Sequence, residues 1–166
     1  MFQITEIEEL APGAAELSVE EWTAITRFTI LWTLFEAQVL DNCASVKKIT
    51  DKVQTWPAEK VVGDWFREQL AYFADRYVES GSTNYIFTQL HMRNNDNPTL
   101  VKAVLRGENN KPSDQLIACL TIVYRFRNNF FHGLKWAYGL RSQLDNFTHA
   151  SALLAEYMKR FQRCYI

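Results

Sequence analysis

Two segments of this 166-residue chain carry apolar residues at helical spacing over many turns, and this periodicity constrains the fold more than any other feature. The first segment runs from Trp22 to Cys43, and the second runs from Leu116 to Ala137. Residues three and four positions apart share one face of an α-helix, so each segment predicts a long helix with one buried side. The sequence therefore predicts an all-α protein.

Start and stop signals divide the chain into four long helices. Ser18, followed three residues later by Glu21, fits the capping box that opens an amphipathic helix. Pro57 suits the first position of a second helix, and Gly81 suits its end. Ser113 or Asp114 is the expected cap of the third helix. The predicted long helices cover residues 18–44, 57–81, 114–138 and 142–163.

These helices predict an up-down antiparallel four-helix bundle, formed by a single domain over residues 18–166. Residues 1–17 are interpreted as an irregular lead-in, and residues 45–56 as a polar connector. Residues 83–112 differ in composition and contain two clusters of turn residues. They are interpreted as an insertion between the second and third long helices, with short helices near residues 85–90 and 98–105, the latter capped by Asn97.

The composition excludes several classes of protein. The length fits one domain that buries about two thirds of its unfolded surface. The three cysteines, Cys43, Cys119 and Cys164, lack a CxxC spacing or a neighbouring histidine, so a metal or redox site is not expected. The chain lacks a phosphate-binding glycine loop and other cofactor motifs. With no apolar run of 18 residues and no signal peptide, a soluble cytoplasmic protein is expected, with no membrane partner.

Charge is distributed unevenly although the net charge is only −1. Residues 1–82 hold 14 acidic and 7 basic side chains, whereas residues 83–166 hold 5 acidic and 11 basic ones. This asymmetry fits either complementary packing between helices or a basic groove that follows a phosphate backbone. The candidate groove cations are Arg125, Lys135, Arg141, Lys159, Arg160 and Arg163.

The third predicted helix carries an unusual polar face. If Arg127 marks zero on a helical wheel, Phe131 falls near ~40°, Asn128 near ~100° and His132 near ~140°, while the apolar stripe lies on the other side of Arg127. Arg127 should therefore flank the core, and Asn128 and His132 should point away from it. Phe131 would be an aromatic ring among polar groups, which is typical of a surface that binds a partner.

The run from Arg127 to His132 resembles the signature of HEPN domains, which consists of an arginine, a polar residue, spacers and a histidine. The resemblance implies an all-α bundle that cleaves single-stranded RNA without a metal or other cofactor. HEPN domains also carry an acidic residue on an early helix, close to the arginine. Glu36 interrupts the first apolar stripe and is the candidate for orienting Arg127, although a solvated glutamate at the edge of the stripe is an alternative.

The implied reaction is attack of a ribose 2′-OH on the adjacent phosphodiester, which leaves a 2′,3′-cyclic phosphate and a 5′-OH. His132 titrates near neutral pH and would transfer a proton, as either general base or general acid. Arg127 would stabilise the charge of the transition state, and Asn128 would hydrogen-bond His132 or a phosphate oxygen. Tyr124 is a candidate for stacking on a base, and Lys135 for contacting a phosphate.

The resemblance also implies a homodimer in which two copies of the motif share one composite active site, with Phe131 at the interface. The biological role would be that of a toxin or a phage-defence effector. The alternative is a non-catalytic HEPN-like dimer that binds RNA or a protein partner, such as a nucleotidyltransferase antitoxin. A plain structural bundle is a third interpretation.

Overall fold

The computed structural model describes residues 4–62, 64–131 and 143–162, and these residues are mostly helical, as expected for an all-α protein. The strands β1 (Val78–Glu79) and β2 (Ser82–Thr83) form one antiparallel hairpin. Short 3₁₀ turns occur at Pro12–Glu16, Asp64–Phe66 and Asn94–Asp96. The α-helices are α1 (Ile4–Leu10), α2 (Val19–Gln38), α3 (Val46–Gln54), α4 (Ala58–Val61), α5 (Arg67–Tyr77), α6 (Tyr85–Thr88), α7 (Pro98–Leu105), α8 (Pro112–Phe131) and α9 (Leu144–Gln162).

The capping box predicted for the first long helix is present. The Ser18 hydroxyl accepts a hydrogen bond from the Glu21 backbone N–H, and the Glu21 carboxylate accepts one from the Ser18 N–H. The predicted end near residue 44 is wrong, because α2 ends at Gln38. Asp41 and Asn42 adopt positive φ angles of 52° and 56°, which the right-handed α-helix does not accommodate.

The polar connector predicted over residues 45–56 is a helix, α3. Ser45 is its N-cap, and the Ser45 hydroxyl accepts a hydrogen bond from the Lys48 N–H at 3.1 Å. Val46, Ile49 and Val53 form a buried stripe on the side that faces α8. The lysines obscured this stripe in the sequence. Lys47 is exposed, whereas Lys48 and Lys52 lie beside the stripe, partly buried, and pair with Asp41.

The second predicted helix is interrupted rather than continuous. Pro57 is the N-cap of the short α4, and Val62 follows α4 in an extended conformation, with a ψ angle of 135°. A 3₁₀ turn then leads into α5. Helical spacing from Phe66 and Phe73 would place Val62 on the buried side of a continuous helix, but Val62 is 58% exposed. The bend redirects the chain so that Phe66 and Phe73 still reach the core.

The second predicted helix also ends earlier than expected, at Tyr77 rather than near Gly81. Residues 78–83 form the hairpin, in which Val78 pairs with Thr83 and Glu79 pairs with Ser82. Ser80 and Gly81 make its two-residue turn, with φ angles of 51° and 77°. Two positive φ angles are typical of the tight turns that suit twisted hairpin strands, and they explain a glycine at this position.

The predicted irregular lead-in contains α1 and a 3₁₀ turn. The Ala11 N–H donates to the Ile7 carbonyl at 2.8 Å, which extends the hydrogen bonding of α1 by one residue. Ala14 in the following turn is buried. The breaker around Pro12 and Gly13 therefore separates two helical turns and does not mark an unstructured segment.

The segment predicted as an insertion contributes to the core. Helix α7 begins at Pro98 and is capped by Asn97, as predicted. Its residues Val101, Val104 and Leu105 are buried, and α7 packs on α8. The shorter α6 precedes the 3₁₀ turn at Asn94–Asp96. Residues 83–112 are thus one of the layers that surround α8.

Replacing Asn97 with alanine should lower the free energy of unfolding by about 1–2 kcal/mol. The Asn97 side chain accepts a hydrogen bond from the Leu100 N–H, and its φ angle is 52°, so alanine would lose the cap and strain the backbone. Urea denaturation followed by circular dichroism measures this change. Asn97→Asp keeps the cap and should remain close to wild type, so equal losses in the two variants would contradict the assignment.

Helix α8 is the most enclosed of the helices in the described ranges. The described part of its predicted stripe is buried, at Leu116, Leu120, Val123, Phe126 and Phe130, and the predicted continuation to Ala137 lies outside the described residues. The predicted caps Ser113 and Asp114 lie inside the helix, which begins at Pro112. Pro112 suits this first position because its missing N–H would have no helical acceptor there.

Four phenylalanines join the three longest helices. Phe28 of α2 lies 5.4 Å from Phe126 and 5.5 Å from Phe147 of α9, measured between ring centroids. Phe126 and Phe130 of α8 lie 4.8 Å and 5.4 Å from Phe147. Tilted and edge-on ring contacts of this kind fix the relative rotation of helices as well as their distance. They place residue 127 of α8 against the C-terminal half of α2.

No helix in the described part of the chain is long and apolar enough to cross a membrane.

Cys119 is fully buried, and burial raises the pKa of its thiol well above its usual range. A thiol in such surroundings is a packing residue and a poor nucleophile.

Candidate active site

Glu36 of α2 and Arg127 of α8 form the ion pair that was predicted from the sequence. Glu36 Oε2 lies 3.1 Å from Arg127 Nη2 and accepts a hydrogen bond from it. The two side chains are 23% and 26% exposed, respectively. The pair therefore lies at the edge of the core, where water reaches it but does not surround it. This contact joins residues that are 91 positions apart in the sequence.

A tryptophan contacts both members of this pair. Trp32 is one turn before Glu36 on α2, and its Nε1–H donates to Glu36 Oε2 at 2.7 Å. The guanidinium carbon of Arg127 lies 5.4 Å from the centre of the Trp32 ring, within the range of a cation–π interaction. Trp32 was expected from the sequence only as a core residue. The signal was its spacing of four from Glu36, which places the two side chains on one helix face.

Asn128 lies beside Arg127 and is buried. Its Oδ1 accepts a hydrogen bond from Arg127 Nη1 at 3.0 Å, and the residue is only 6% exposed. The prediction that Asn128 points away from the core into solvent is wrong. The helical wheel assumed that α8 has one buried face, whereas α3, α4, α5 and α7 all pack against this helix.

Tyr124, the candidate for base stacking, is partly buried one turn before Asn128. Its ring centre lies 6.2 Å from that of Trp32, with an angle of 37° between the planes. One side of the Tyr124 ring is thus occupied by protein, and only the accessible remainder could contact a base. Trp32, Glu36, Tyr124, Arg127 and Asn128 together form what we term the Arg127 cluster.

Arg125, predicted as a groove cation, is in the interior, so the prediction that it lines an RNA-binding groove is wrong. It is 4% exposed, and its Nε and Nη2 atoms donate to the carbonyls of Leu90 and His91 at 3.1 Å and 2.7 Å. Its charge is balanced by Asp96, whose Oδ2 lies 3.5 Å from the Arg125 Nε. Arg125 points to the opposite side of α8 from Arg127 because two residues subtend about 200° on a helix.

Asn129, like Arg125, donates hydrogen bonds to backbone carbonyls of the segment that follows α6. Its Nδ2 donates to the carbonyls of Gln89 and Leu90 at 3.0 Å and 3.2 Å. These carbonyls belong to residues that follow α6 and lie outside its helical hydrogen bonds. Arg125 and Asn129 lie four residues apart on one face of α8 and together hold residues 89–91. Arg125 and Asn129 thus point to a different side of α8 from Arg127 and Asn128.

Several of the predicted site residues lie outside what the structure describes. His132, Lys135 and Arg141 fall within residues 132–142, and the side chain of Phe131 is likewise outside the described set, although its backbone ends α8. His132 follows Phe131 directly in the sequence. The site as described therefore contains Arg127, Asn128, Glu36 and Tyr124 of the predicted residues.

Two other candidate groove cations have contacts of their own. Lys159 Nζ pairs with Glu156 at 2.7 Å on the exposed side of α9. The Arg160 guanidinium lies 4.9 Å from the centre of the Trp65 ring. Arg163 lies outside the described residues. Among residues 4–62, 64–131 and 143–162, no group of three histidine, cysteine or carboxylate side chains could hold a metal ion.

The Arg127 cluster fixes a guanidinium at the protein surface. Its two terminal nitrogens are directed to Glu36 and Asn128, and one aromatic face packs against it. A guanidinium held in this way loses little conformational freedom when it binds an anion, because its side chain is already ordered. A guanidinium held in this way can contact an anion.

No protein-family model, characterised protein or solved structure matches the chain.

Proposed function

We propose that this protein is a metal-independent endoribonuclease of the HEPN type that cleaves single-stranded RNA in the cytoplasm. The observation that carries the proposal is the ion pair between Glu36 of α2 and Arg127 of α8, at 3.1 Å. A resemblance based on a short motif implied a partner for the arginine on an early helix, and the partner lies there. Four helices, α2, α5, α8 and α9, would form the bundle of that fold.

In this proposal Arg127 stabilises the negative charge that develops on the scissile phosphate. The 2′-OH gives up its proton as its oxygen attacks the phosphorus, the bond from phosphorus to the 5′-oxygen breaks, and the leaving 5′-oxygen takes up a proton. His132 transfers one of these protons, as base or as acid. Glu36 and Asn128 orient the guanidinium before the substrate arrives, so that no reorganisation is needed during the reaction.

One arginine and one histidine make a sparse site, so the proposal includes a homodimer. Two copies of Arg127, Asn128 and His132 would line a shared cleft, with Phe131 at the two-fold interface. Tyr124, Lys135 and Arg141 would then contact bases and phosphates near the cleft. The cellular role would be that of a toxin or phage-defence effector whose activity is restrained by a protein partner.

A second candidate function is a non-catalytic HEPN-like module that binds RNA or a protein such as a nucleotidyltransferase antitoxin. The observation that favours it is the coordination of Arg127, whose terminal nitrogens both contact protein oxygens. This geometry is also that of an arginine whose function is to join two helices. Catalysis and binding therefore have to be separated by experiment.

The purified protein should cut an end-labelled single-stranded RNA in the presence of EDTA. His132→Ala should abolish this cleavage, because proton transfer contributes roughly 10²–10⁴-fold to such reactions. His91→Asn is the control: His91 is exposed, and asparagine tolerates its positive φ angle of 49°. This variant should cleave at the wild-type rate. Cleavage is resolved on a denaturing gel over a time course.

Two outcomes would contradict the nuclease assignment. Wild-type protein that leaves every tested RNA intact while binding it would favour the binding module. Equal cleavage by wild type and His132→Ala would indicate a contaminating nuclease or another catalytic group. Size-exclusion chromatography with light scattering, run on the same samples, tests the proposed dimer.

A further inference from the structure

Trp32 is the residue that connects the two charges of the Arg127 cluster. It is 1% exposed, so its side chain has a fixed environment, and its indole N–H donates to the carboxylate of Glu36. The same indole ring packs against the guanidinium of Arg127. One buried side chain thus contacts both the anion and the cation of the ion pair.

Both donors of this arrangement converge on a single oxygen. Glu36 Oε2 accepts the Trp32 N–H at 2.7 Å and the Arg127 Nη2–H at 3.1 Å. An unrestrained carboxylate and guanidinium commonly pair through two parallel hydrogen bonds, which use both carboxylate oxygens. Here the indole N–H shares Oε2 with Arg127 Nη2, while Arg127 Nη1 donates to Asn128, so Arg127 meets one oxygen of Glu36 rather than two.

The indole ring also limits the positions that the guanidinium can take. The Arg127 guanidinium carbon lies 5.4 Å from the Trp32 ring centre, while Tyr124 packs on the same tryptophan at 6.2 Å. The cation is therefore restrained by an aromatic surface on one side and by Glu36 and Asn128 at its terminal nitrogens. An arginine side chain with this many restraints has few rotamers left.

We propose that Trp32 is a positioning residue that sets the geometry of Arg127 through Glu36, by its indole N–H and by its ring. The contacts alone support the conclusion that Trp32 sets the position of Arg127. The effect of Trp32 on RNA cleavage rests on the proposed nuclease function. Two measurements keep these claims separate. One follows the indole and guanidinium signals, and the other follows RNA cleavage.

The first measurement is two-dimensional ¹H–¹⁵N NMR of the full chain. Glu36→Gln should shift the indole N–H resonance of Trp32, because its acceptor changes from a carboxylate to a neutral amide oxygen. The indole of Trp65 is the internal control, since its Nε1 has no hydrogen-bond partner among the residues described. Trp32→Phe should in turn shift the Arg127 guanidinium resonance. Unchanged resonances in both variants would overturn the positioning claim.

The second measurement is steady-state cleavage of RNA by Trp32→Phe. This variant keeps an aromatic ring but removes the N–H, and kcat should fall by about tenfold to a hundredfold, as for a misplaced catalytic group, with KM changed by less than about twofold. Trp56→Phe is the matched control. Trp56 is another buried tryptophan, stacked on Tyr157 at 4.5 Å, and its replacement should leave kcat close to wild type.

A non-additive result is the readout that a merely structural tryptophan would not give. In an Arg127→Ala background, Trp32→Phe should cause no further loss of kcat, because the group that it positions is gone. Full additivity of the two losses, or an equal loss in Trp56→Phe, would overturn the proposal. If wild type does not cleave RNA, the nuclease function fails, and the NMR measurement still decides whether Trp32 sets the position of Arg127.

Discussion

Arg125→Met is expected to lower the free energy of unfolding by about 3–5 kcal/mol, because it breaks a buried ion pair by removing one partner. Methionine retains the length and apolar stem of the side chain but removes its charge. Asp96, whose side chain is 5% exposed, would then be a buried carboxylate without its cation. The carbonyls of Leu90 and His91 would lose their donors as well.

Urea denaturation monitored by circular dichroism measures this loss. Arg106→Met is the matched control, because Arg106 pairs with Glu108 at 2.7 Å on the surface, where side-chain exposures are 33% and 56%. Exposed pairs contribute about 0–1 kcal/mol, so this variant should remain near wild type. Similar stabilities for Arg125→Met and Arg106→Met would contradict the burial and pairing described for Arg125.

In contrast to Arg125→Met, Arg127→Ala is expected to have a large effect on RNA cleavage and a small effect on the free energy of unfolding. Cleavage should slow by about 10²–10³-fold, the usual consequence of removing a group that stabilises transition-state charge. The free energy of unfolding should fall by only about 1 kcal/mol, because the ion pair with Glu36 is partly exposed. Single-turnover cleavage and urea denaturation of the same preparation measure the two quantities.

Arg127→Lys and Glu36→Gln refine this test. Lysine keeps the charge but loses the planar fork, so most of the rate should still be lost. Glu36→Gln keeps Arg127 and removes its charged partner, so its rate should lie between those of wild type and Arg127→Ala. An Arg127→Ala protein that cleaves at the wild-type rate would assign the arginine to structure alone.

Local signals in the sequence predicted those features of the fold that depend on neighbouring residues. The Ser18–Glu21 capping box and the Asn97 cap of α7 were predicted correctly because each is formed within four residues. The buried stripes of α2 and α8 followed from periodicity. The buried face of α3 was missed because Val46, Ile49 and Val53 are separated by charged residues, and only contact with α8 shows which side matters.

Within the candidate site, the sequence predicted the ion pair between Glu36 and Arg127. Glu36 interrupts an apolar stripe, and from the residues alone it could either pair with a cation or be solvated. The resemblance to HEPN domains was what pointed to Arg127 as its partner. The directions of Arg125 and Asn128 did not follow. A helical wheel separates a core side from a solvent side, but α8 is covered on several sides, and the sequence does not state which neighbours cover it.

The chemical identity of the RNA ends after cleavage in EDTA tests the proposed nuclease mechanism most directly. Attack by the 2′-OH leaves a 2′,3′-cyclic phosphate on the upstream fragment and a 5′-OH on the downstream one, and mass spectrometry should detect both. Both products should be lost in His132→Ala and in Arg127→Ala. A 3′-OH and a 5′-phosphate would show that water rather than the 2′-OH attacks the phosphorus, and would contradict the proposed mechanism.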